Sequence, residues 1–319
     1  MPDEVYIGID LGGTLIRAGR FSASLELEAR SETQTRSEDG DPEAVIRRMV
    51  AQARAVWPSD GTKVAGIGIS APGPINPMTG VVTTPPNLKG WHYVPLRDLF
   101  QQQVGVPTYL GNDANLAALA EAAMGAAQGY TDVVFLTIST GIGSGIIIAG
   151  KLLIGSEGIG DECGHMILVV EGDHVSSLEK EAAGPAIARQ ARTAIEKGEP
   201  SIILDLANGS LEGIDARAVG EAAKAGDALG LRIITRAGRM IGLGIVSLLH
   251  IFNPQIVVIG GGVAKGTGDL LFNPLRQAVQ QHALDSSYWE HLVIAPAKLG
   301  ENVSLIGAAA LARAQGKVS

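Results

Sequence analysis

Asp10 closes an alternating run, Val5, Ile7 and Ile9, and is followed by Gly12, Gly13 and Thr14 before Leu15 and Ile16 resume an extended pattern. A strand, a carboxylate, a glycine tip and a hydroxyl make a hairpin end suited to a phosphate and its metal. Backbone N–H groups approach an anion closely where no Cβ intervenes, and a carboxylate serves a hard cation such as Mg2+ directly or through water. The glycines are expected at positive φ. An ordinary Gly-Gly hairpin closed by aspartate would give the same pattern. The arrangement recurs: an apolar run over 132–139 leads into Thr140, Gly141, Ile142, Gly143, Ser144 and Gly145, and a second run covers 146–149. Two such hairpins imply a duplicated architecture whose halves face one nucleotide. Between and after them lie two polar groups. Asn112 and Asp113 stand before an alanine-rich helix, where helix capping alone could explain the aspartate. The glycine-broken stretch 155–165 holds Glu157, Asp161, Glu162 and His165.

The elements that must position these residues follow from periodicity. A third extended run is expected over 24–30. Asp41 and Pro42 open a helix as N-cap and first residue, which Pro58 ends. Residues 63–70 read as a buried strand. Its Gly66 and Gly68 match a dinucleotide fingerprint, but that pattern needs a helix next, and Pro72, Pro74 and Pro77 follow. The match is therefore discarded. Residues 71–91 form a long Pro-, Gly- and Asn-rich loop of the kind that usually carries function. A helix over 96–104, a strand over 106–110 and the alanine-rich helix to about 127 come next. In the second half, helices are expected over 178–197, 216–224 and 227–250. The glycines of the last one, Gly238, Gly242 and Gly244, signify close packing. A strand at 256–259 runs into Gly260–Gly262, and a helix (270–283), a strand (292–295) and a helix (302–314) close the chain. Strands alternating with helices indicate mixed α/β sheets.

Length and composition set the bounds. A chain of 319 residues is long for one core, so two domains are expected. Apolar residues at 46% with 42 glycines fit a glycine-rich α/β protein rather than a disordered or fibrous one. A net charge of −8 without a Lys/Arg-rich block argues against nucleic acid as partner. No uninterrupted run approaches the roughly 18 apolar residues of a membrane span, so no membrane is expected as partner. Met1-Pro2-Asp3-Glu4 has no basic leader region, and no secretory signal is expected. The lone cysteine, Cys163, excludes an internal disulfide and suits a reducing cytoplasm.

Four separated motifs agree: Ile-Asp-Leu-Gly-Gly-Thr (9–14), Gly-Asn-Asp-Ala-Asn (111–115), Ser-Thr-Gly-Ile-Gly-Ser-Gly (139–145) and Glu-Cys-Gly-His (162–165). With Ala-Pro-Gly-Pro-Ile-Asn (71–76), Pro-Asn-Leu-Lys-Gly-Trp (86–91) and the 256–262 stretch, they resemble the ROK family of repressors and sugar kinases, over essentially the whole chain and in order. The resemblance implies an actin-like, ribonuclease-H-type pair of α/β domains, one of residues 1–117 and 301–319 and one of 118–300, with ATP and sugar in the cleft between them. It assigns Asp10, Gly12, Gly13 and Thr14 to the phosphates and Mg2+. Thr140, Gly141 and Gly143 become the second phosphate loop, and Gly261 and Gly262 lie near the adenosine. Asn87, Asn112, Asp113, Glu162, His165 and Glu179 would bind sugar hydroxyls, each of which is donor and acceptor and so is bracketed by carboxylates, amides and an imidazole. Asp113 would act as general base toward the 6-hydroxyl. Glu179, at a helix start, could equally be a partner of the helix dipole.

Two departures bear on the site. Zinc-binding members carry a cysteine cluster after the Gly-His pair, whereas Asp173-His174-Val175-Ser176-Ser177 stands here, so a His-Cys₃ zinc site is impossible. Packing and hydrogen bonds must hold that loop instead. Asp161 replaces the small residue usual before the motif's glutamate. Among rival readings, a sugar-responsive repressor would need a DNA-binding segment ahead of the first hairpin, where about six residues stand. An actin-like ATPase would have no use for Asn112, Asp113, Glu162 and His165. Mannose, fructose, N-acetylmannosamine and N-acetylglucosamine remain alternative acceptors, and polyphosphate remains an alternative to ATP as phosphoryl donor. Glucose is favoured because the 86–91 and 111–115 stretches look most like those of the family's bacterial glucokinases. A homo-oligomer, dimer or tetramer, is expected.

Overall fold

The computed structural model describes residues 4–316; Met1–Asp3, read above for a leader, fall outside them. Strand β1 (Glu4–Leu11) turns back into β2 (Leu15–Phe21), and the antiparallel register sets Asp10 opposite Arg17. The third strand, β3 (Leu27–Gln34), starts later than its apolar run. Residues 22–26 are spent on a turn, with Ser22 N–H donating to Glu26 O and a buried Leu25 at φ 64°. Helix α1 (Pro42–Ala55) begins as expected: Asp41 accepts the Ala44 N–H at 3.1 Å, and Val45, Ile46, Met49 and Ala53 face the core. Strand β4 (Lys63–Ala71) contains Gly66 and Gly68, so the discarded fingerprint lies within a strand. The long loop holds two short strands, β5 (Ile75–Asn76) and β6 (Val81–Val82). Helix α2 (Leu96–Val104) follows as expected. Strand β7 (Thr108–Asn112) starts two residues later than read, after Pro107, which has no N–H for the ladder. It runs directly into α3 (Asp113–Met124).

Strands β8 (Val133–Ile138), β9 (Ile142–Ile148) and β10 (Lys151–Leu152) form the second meander. Residues 167–177 hold a hairpin that the reading missed, β11 (Ile167–Glu171) and β12 (His174–Ser177), turned through Gly172 at φ 57°. The single helix expected over 178–197 is two: α4 (Leu178–Ala182) and α5 (Gly184–Glu196). Pro185 brings no N–H to the junction, so the helical bond to Glu181 O cannot form. Ala183 is extended, and the Gly184 N–H donates to Ser139 O at 2.8 Å instead of continuing the helix. Then come α6 (Ile203–Leu206), α7 (Ala216–Lys224) and α8 (Ala228–Phe252), followed by β13 (Ile256–Gly260). A short helix, α9 (Gly262–Thr267), was not anticipated; α10 (Asp269–His282), β14 (Val293–Pro296) and α11 (Val303–Arg313) were, within a residue or two. Gly238 and Gly242 of α8 meet α10: a Cβ at either would sit 2.5 Å from the Leu271 or Leu275 carbonyl oxygen. Close packing is their role.

One five-stranded sheet has the order β3-β2-β1-β4-β7, the other β10-β9-β8-β13-β14. In the first, β1 pairs antiparallel with β2 and parallel with β4, which pairs parallel with β7; in the second, β13 pairs parallel with both β8 and β14. Matching strand orders are the duplication that the two hairpins implied. The chain divides into two compact units, one of residues up to 131 with 145–161 and from 298 onward, the other of 132–144 with 162–297. In the first, Ile7, Ile9, Met49, Ile67, Ile69 and Phe100 form the core on one sheet face. On the other face α11 lies so close that a Cβ at Gly68 would be 1.8 Å from Ala308 O. In the second unit α8 is the central helix. It is long and apolar enough to cross a membrane, which a count of uninterrupted runs overlooked, but 61% of its apolar window is buried inside the protein.

Candidate active site

The parallel strands β1, β4 and β7 bring Asp10, Ser70 and Asn112 to their C-terminal ends, the edge where open α/β sheets bind ligands. Asp10 is 7% exposed. Burial raises its pKa above the usual carboxylate value, and the Arg17 guanidinium beside it works in the opposite direction. Arg17 donates from Nε at 3.0 Å, and from a second guanidinium nitrogen, to the same oxygen, Oδ2, while its Nη1 holds Glu301 O at 3.1 Å. Oδ1 is then the oxygen that would meet Mg2+ or its water, and one carboxylate with substrate phosphates is an ordinary magnesium environment. The donor set fits the metal.

The tip between β1 and β2 is held from outside. Gly12 N–H donates to Leu15 O at 2.9 Å, and the hydroxyls of Thr35 and Ser37 donate to Gly12 O and Gly13 O. Neither Gly12 nor Gly13 adopts positive φ, contrary to expectation. Gly13 is needed for space: a Cβ there would lie 2.9 Å from Asn87 O. That contact puts exposed Asn87 against the tip, on a loop anchored by buried Leu88 and Trp91. Thr14 is exposed at the same tip.

Asn112 is the N-cap of α3, its Oδ1 accepting the Ala114 N–H at 2.9 Å, and its amide lies beside Gly73, where a Cβ would be 2.9 Å from Nδ2. Asp113 is the first helical residue, exposed, and its Oδ1 also receives the Ala114 N–H, at 2.8 Å. Capping therefore does not depend on Asp113 alone. Asp161 takes a structural place in this unit: at φ 58° it accepts the Ile146 N–H at 3.2 Å.

In the second unit Thr140 and Gly141 lie in the tip between β8 and β9, whereas Gly143, expected in the same loop, is already the second residue of β9 because the turn closes over residues 139–141. Ser139 N–H donates to Gly141 O at 2.9 Å, and Glu179 Oε2 accepts the Ile142 N–H at 2.8 Å. A Cβ on Gly141 would lie 2.6 Å from that carboxylate oxygen. Glu179, near the start of α4, thus braces the loop as well as being a candidate sugar contact. Glu162 and His165 flank a 3₁₀ turn in which His165 N–H donates to Glu162 O at 3.0 Å. Both side chains are exposed, Glu162 at the entry to the turn and His165 at its last position. The turn is tied to β9 by Cys163 N–H donating to Ser144 Oγ at 2.9 Å, and to α4 by Leu178 N–H donating to Met166 O at 2.9 Å. Hydrogen bonds and the β11–β12 hairpin hold the stretch that follows the Gly164–His165 pair. Gly261, at φ 92°, passes 2.2 Å (as a Cβ) from Ile138 O, whereas Gly262 faces open space along a cavity of about 970 Å³ that Ser139 and Thr140 also line. Sequence reasoning missed Arg17 and Ser70. Pairing across a tip at 12–14 would have set 17 opposite 10; nothing in the local pattern marks Ser70, whose buried hydroxyl has no partner among the described residues.

The model of the ROK family matches residues 6–315. The chain belongs to the ROK family. A glucokinase of Thermotoga maritima is 37% identical over 316 residues, 98% of each chain. Among solved structures, a ROK hexokinase from Thermus thermophilus superposes with a TM-score of 0.84 at 34% identity, covering 99% of this chain and 100% of that one. A ROK family glucokinase from Streptomyces griseus, in complex with glucose and AMPPNP, has a TM-score of 0.78 at 32% identity, covering 97% and 99%. The two matched sheets are those of the actin-like, ribonuclease-H-type fold that the motifs implied.

Proposed function

We propose that this protein is a sugar kinase that transfers the γ-phosphoryl group of ATP to the 6-hydroxyl of a hexose, glucose foremost, yielding glucose 6-phosphate and ADP. The observation that carries the reading is the coupling of two chemistries in one small assembly. A phosphate-type tip at Ser139–Gly141, continued by Gly143 of β9, is braced by Glu179, and β9 is tied to the turn that carries Glu162 and His165. Membership of the ROK family and the similarity to a glucokinase and to a glucose-bound ROK family glucokinase support it.

In this reading Asp113 accepts the proton of the 6-hydroxyl as its oxygen forms a bond to the γ-phosphorus, and the bond from that phosphorus to the β,γ-bridging oxygen breaks, its electron pair leaving with ADP. Positioning and charge neutralisation dominate such a transfer. Helix α3 presents its N-terminus at Asp113, and Asn112 holds that end in shape. Mg2+, held through Asp10 and the phosphate oxygens, would supply neutralisation of the developing charge. Asn87, Asn112, Glu162, His165 and Glu179 would bracket sugar hydroxyls, and a site of polar groups rejects an analogue lacking one of its hydroxyls. A coupled ADP-release assay over glucose, mannose, fructose, N-acetylmannosamine and N-acetylglucosamine tests the acceptor. Glucose is expected to give the highest kcat/KM; a higher value for any other sugar would reassign it.

A further inference from the structure

The cavity of about 970 Å³ in the second unit extends well past the phosphate-type tip, and one wall of it is helix α5. That helix starts at the tip, where Gly184 N–H donates to Ser139 O at 2.8 Å. Its residues on the cavity are Gly184, Pro185, Ala188 and Arg192, a single stripe at helical spacing. At a rise of 1.5 Å per residue, Arg192 stands about 12 Å along the axis from Gly184. The small residues between them leave the wall flat and apolar, and Arg192 is the first large cation on it.

Its guanidinium is held in place. One terminal nitrogen, Nη2, donates to Ile214 O at 2.9 Å, while Nε is buried and has no acceptor among the described residues. Other charged groups around the cavity are already committed: Asp215 caps α7 through the Ala218 N–H at 2.8 Å, and Arg217 pairs with Glu221 at 2.8 Å. Lys224 and Lys265 are exposed and lie on flexible stems. A fixed planar cation beside a flat apolar wall suits the face of an aromatic ring. A donor made of phosphates alone would have no use for that face.

We infer that Arg192 is a specificity-determining residue for the phosphoryl donor, stacking its guanidinium on the nucleobase and leaving the phosphates to the Ser139–Gly141 tip. The inference rests on the reading of ATP as donor. Calorimetric titration of wild-type protein and Arg192→Met with AMPPNP and with tripolyphosphate, without sugar, tests it. Arg192→Met is expected to bind AMPPNP about tenfold more weakly, with tripolyphosphate binding unchanged. Arg192→Lys retains a donor for Ile214 O without the stacking plane, and its AMPPNP affinity should fall between the two; it carries the test should the methionine variant not fold. Unchanged AMPPNP affinity in the variants overturns the assignment. An equal loss for both ligands overturns it too, because it makes Arg192 a phosphate contact. Wild-type protein that binds tripolyphosphate but not AMPPNP would instead remove the nucleotide donor, and this inference with it.

Discussion

Asp113 illustrates what residue types alone can and cannot tell. In isolation an aspartate ahead of an alanine-rich helix is a cap, and its Oδ1 does take the Ala114 N–H. The neighbouring Asn112 makes the same bond at 2.9 Å, so the helix start has two acceptors for one donor. That redundancy lets Asp113 serve chemistry without the helix depending on it. Asp113→Asn is therefore expected to keep its melting temperature and glucose binding while kcat falls by at least about 10²-fold; a variant retaining more than a tenth of wild-type kcat would remove Asp113 from the role of base. Gly13 shows the limit of local reading. Its place in the tip was legible from the hairpin pattern, but its reason was not, because the obstacle to a side chain is Asn87, more than seventy residues away. The Arg17 partner of Asp10 was recoverable from hairpin arithmetic; the hydroxyl of Ser70 was not, since only the parallel register of β1 and β4 puts it beside Asp10.

Among the elements, those bounded by strong local signals were legible. Helix α1 has an Asp-Pro start, α7 an Asp cap, and α2 ends at Gly105 with φ 71°. Helix α9 was hidden by its two glycines, poor helix formers that tertiary packing overrides. The β11–β12 hairpin was hidden because Ile167, Val170 and Val175 are exposed, so no inside–outside alternation marks it. The break between α4 and α5 was signalled by Pro185 and masked by the alanines around it. That break matters, since α4 carries Glu179 to the tip while α5 forms the cavity wall. Helix α4 is fastened to α8 by Glu181, buried and paired with Arg236. Burial works to raise the Glu181 pKa, but the Ser176 hydroxyl, Arg236 and Arg189 together outweigh it and hold the carboxyl below its ordinary value of 4.5. A folded pKa below the unfolded one gives stability that is present above the unfolded value and lost as pH falls through the folded value. Glu181→Gln should cost about 1 kcal/mol at neutral pH, a modest figure because Arg236 is part-exposed. The difference from wild type in thermal melts should shrink below the ordinary carboxylate range; a gap that persists undiminished in acid would contradict this role.

At the scale of the whole molecule, the two-sheet duplication was legible because each half opens with the same strand, polar tip and strand, and the fold then repeats the same strand order. In the proposed function this duplicated fold passes a phosphoryl group from ATP to a hexose. Phosphorus NMR of the purified protein with ATP, Mg2+ and glucose reads that transfer directly, since it follows donor and product together. Glucose 6-phosphate and ADP are expected to appear in equal amounts, with ATP stable when glucose is omitted. ATP consumed at the same rate with and without glucose, or no sugar phosphate formed from any hexose, would contradict it.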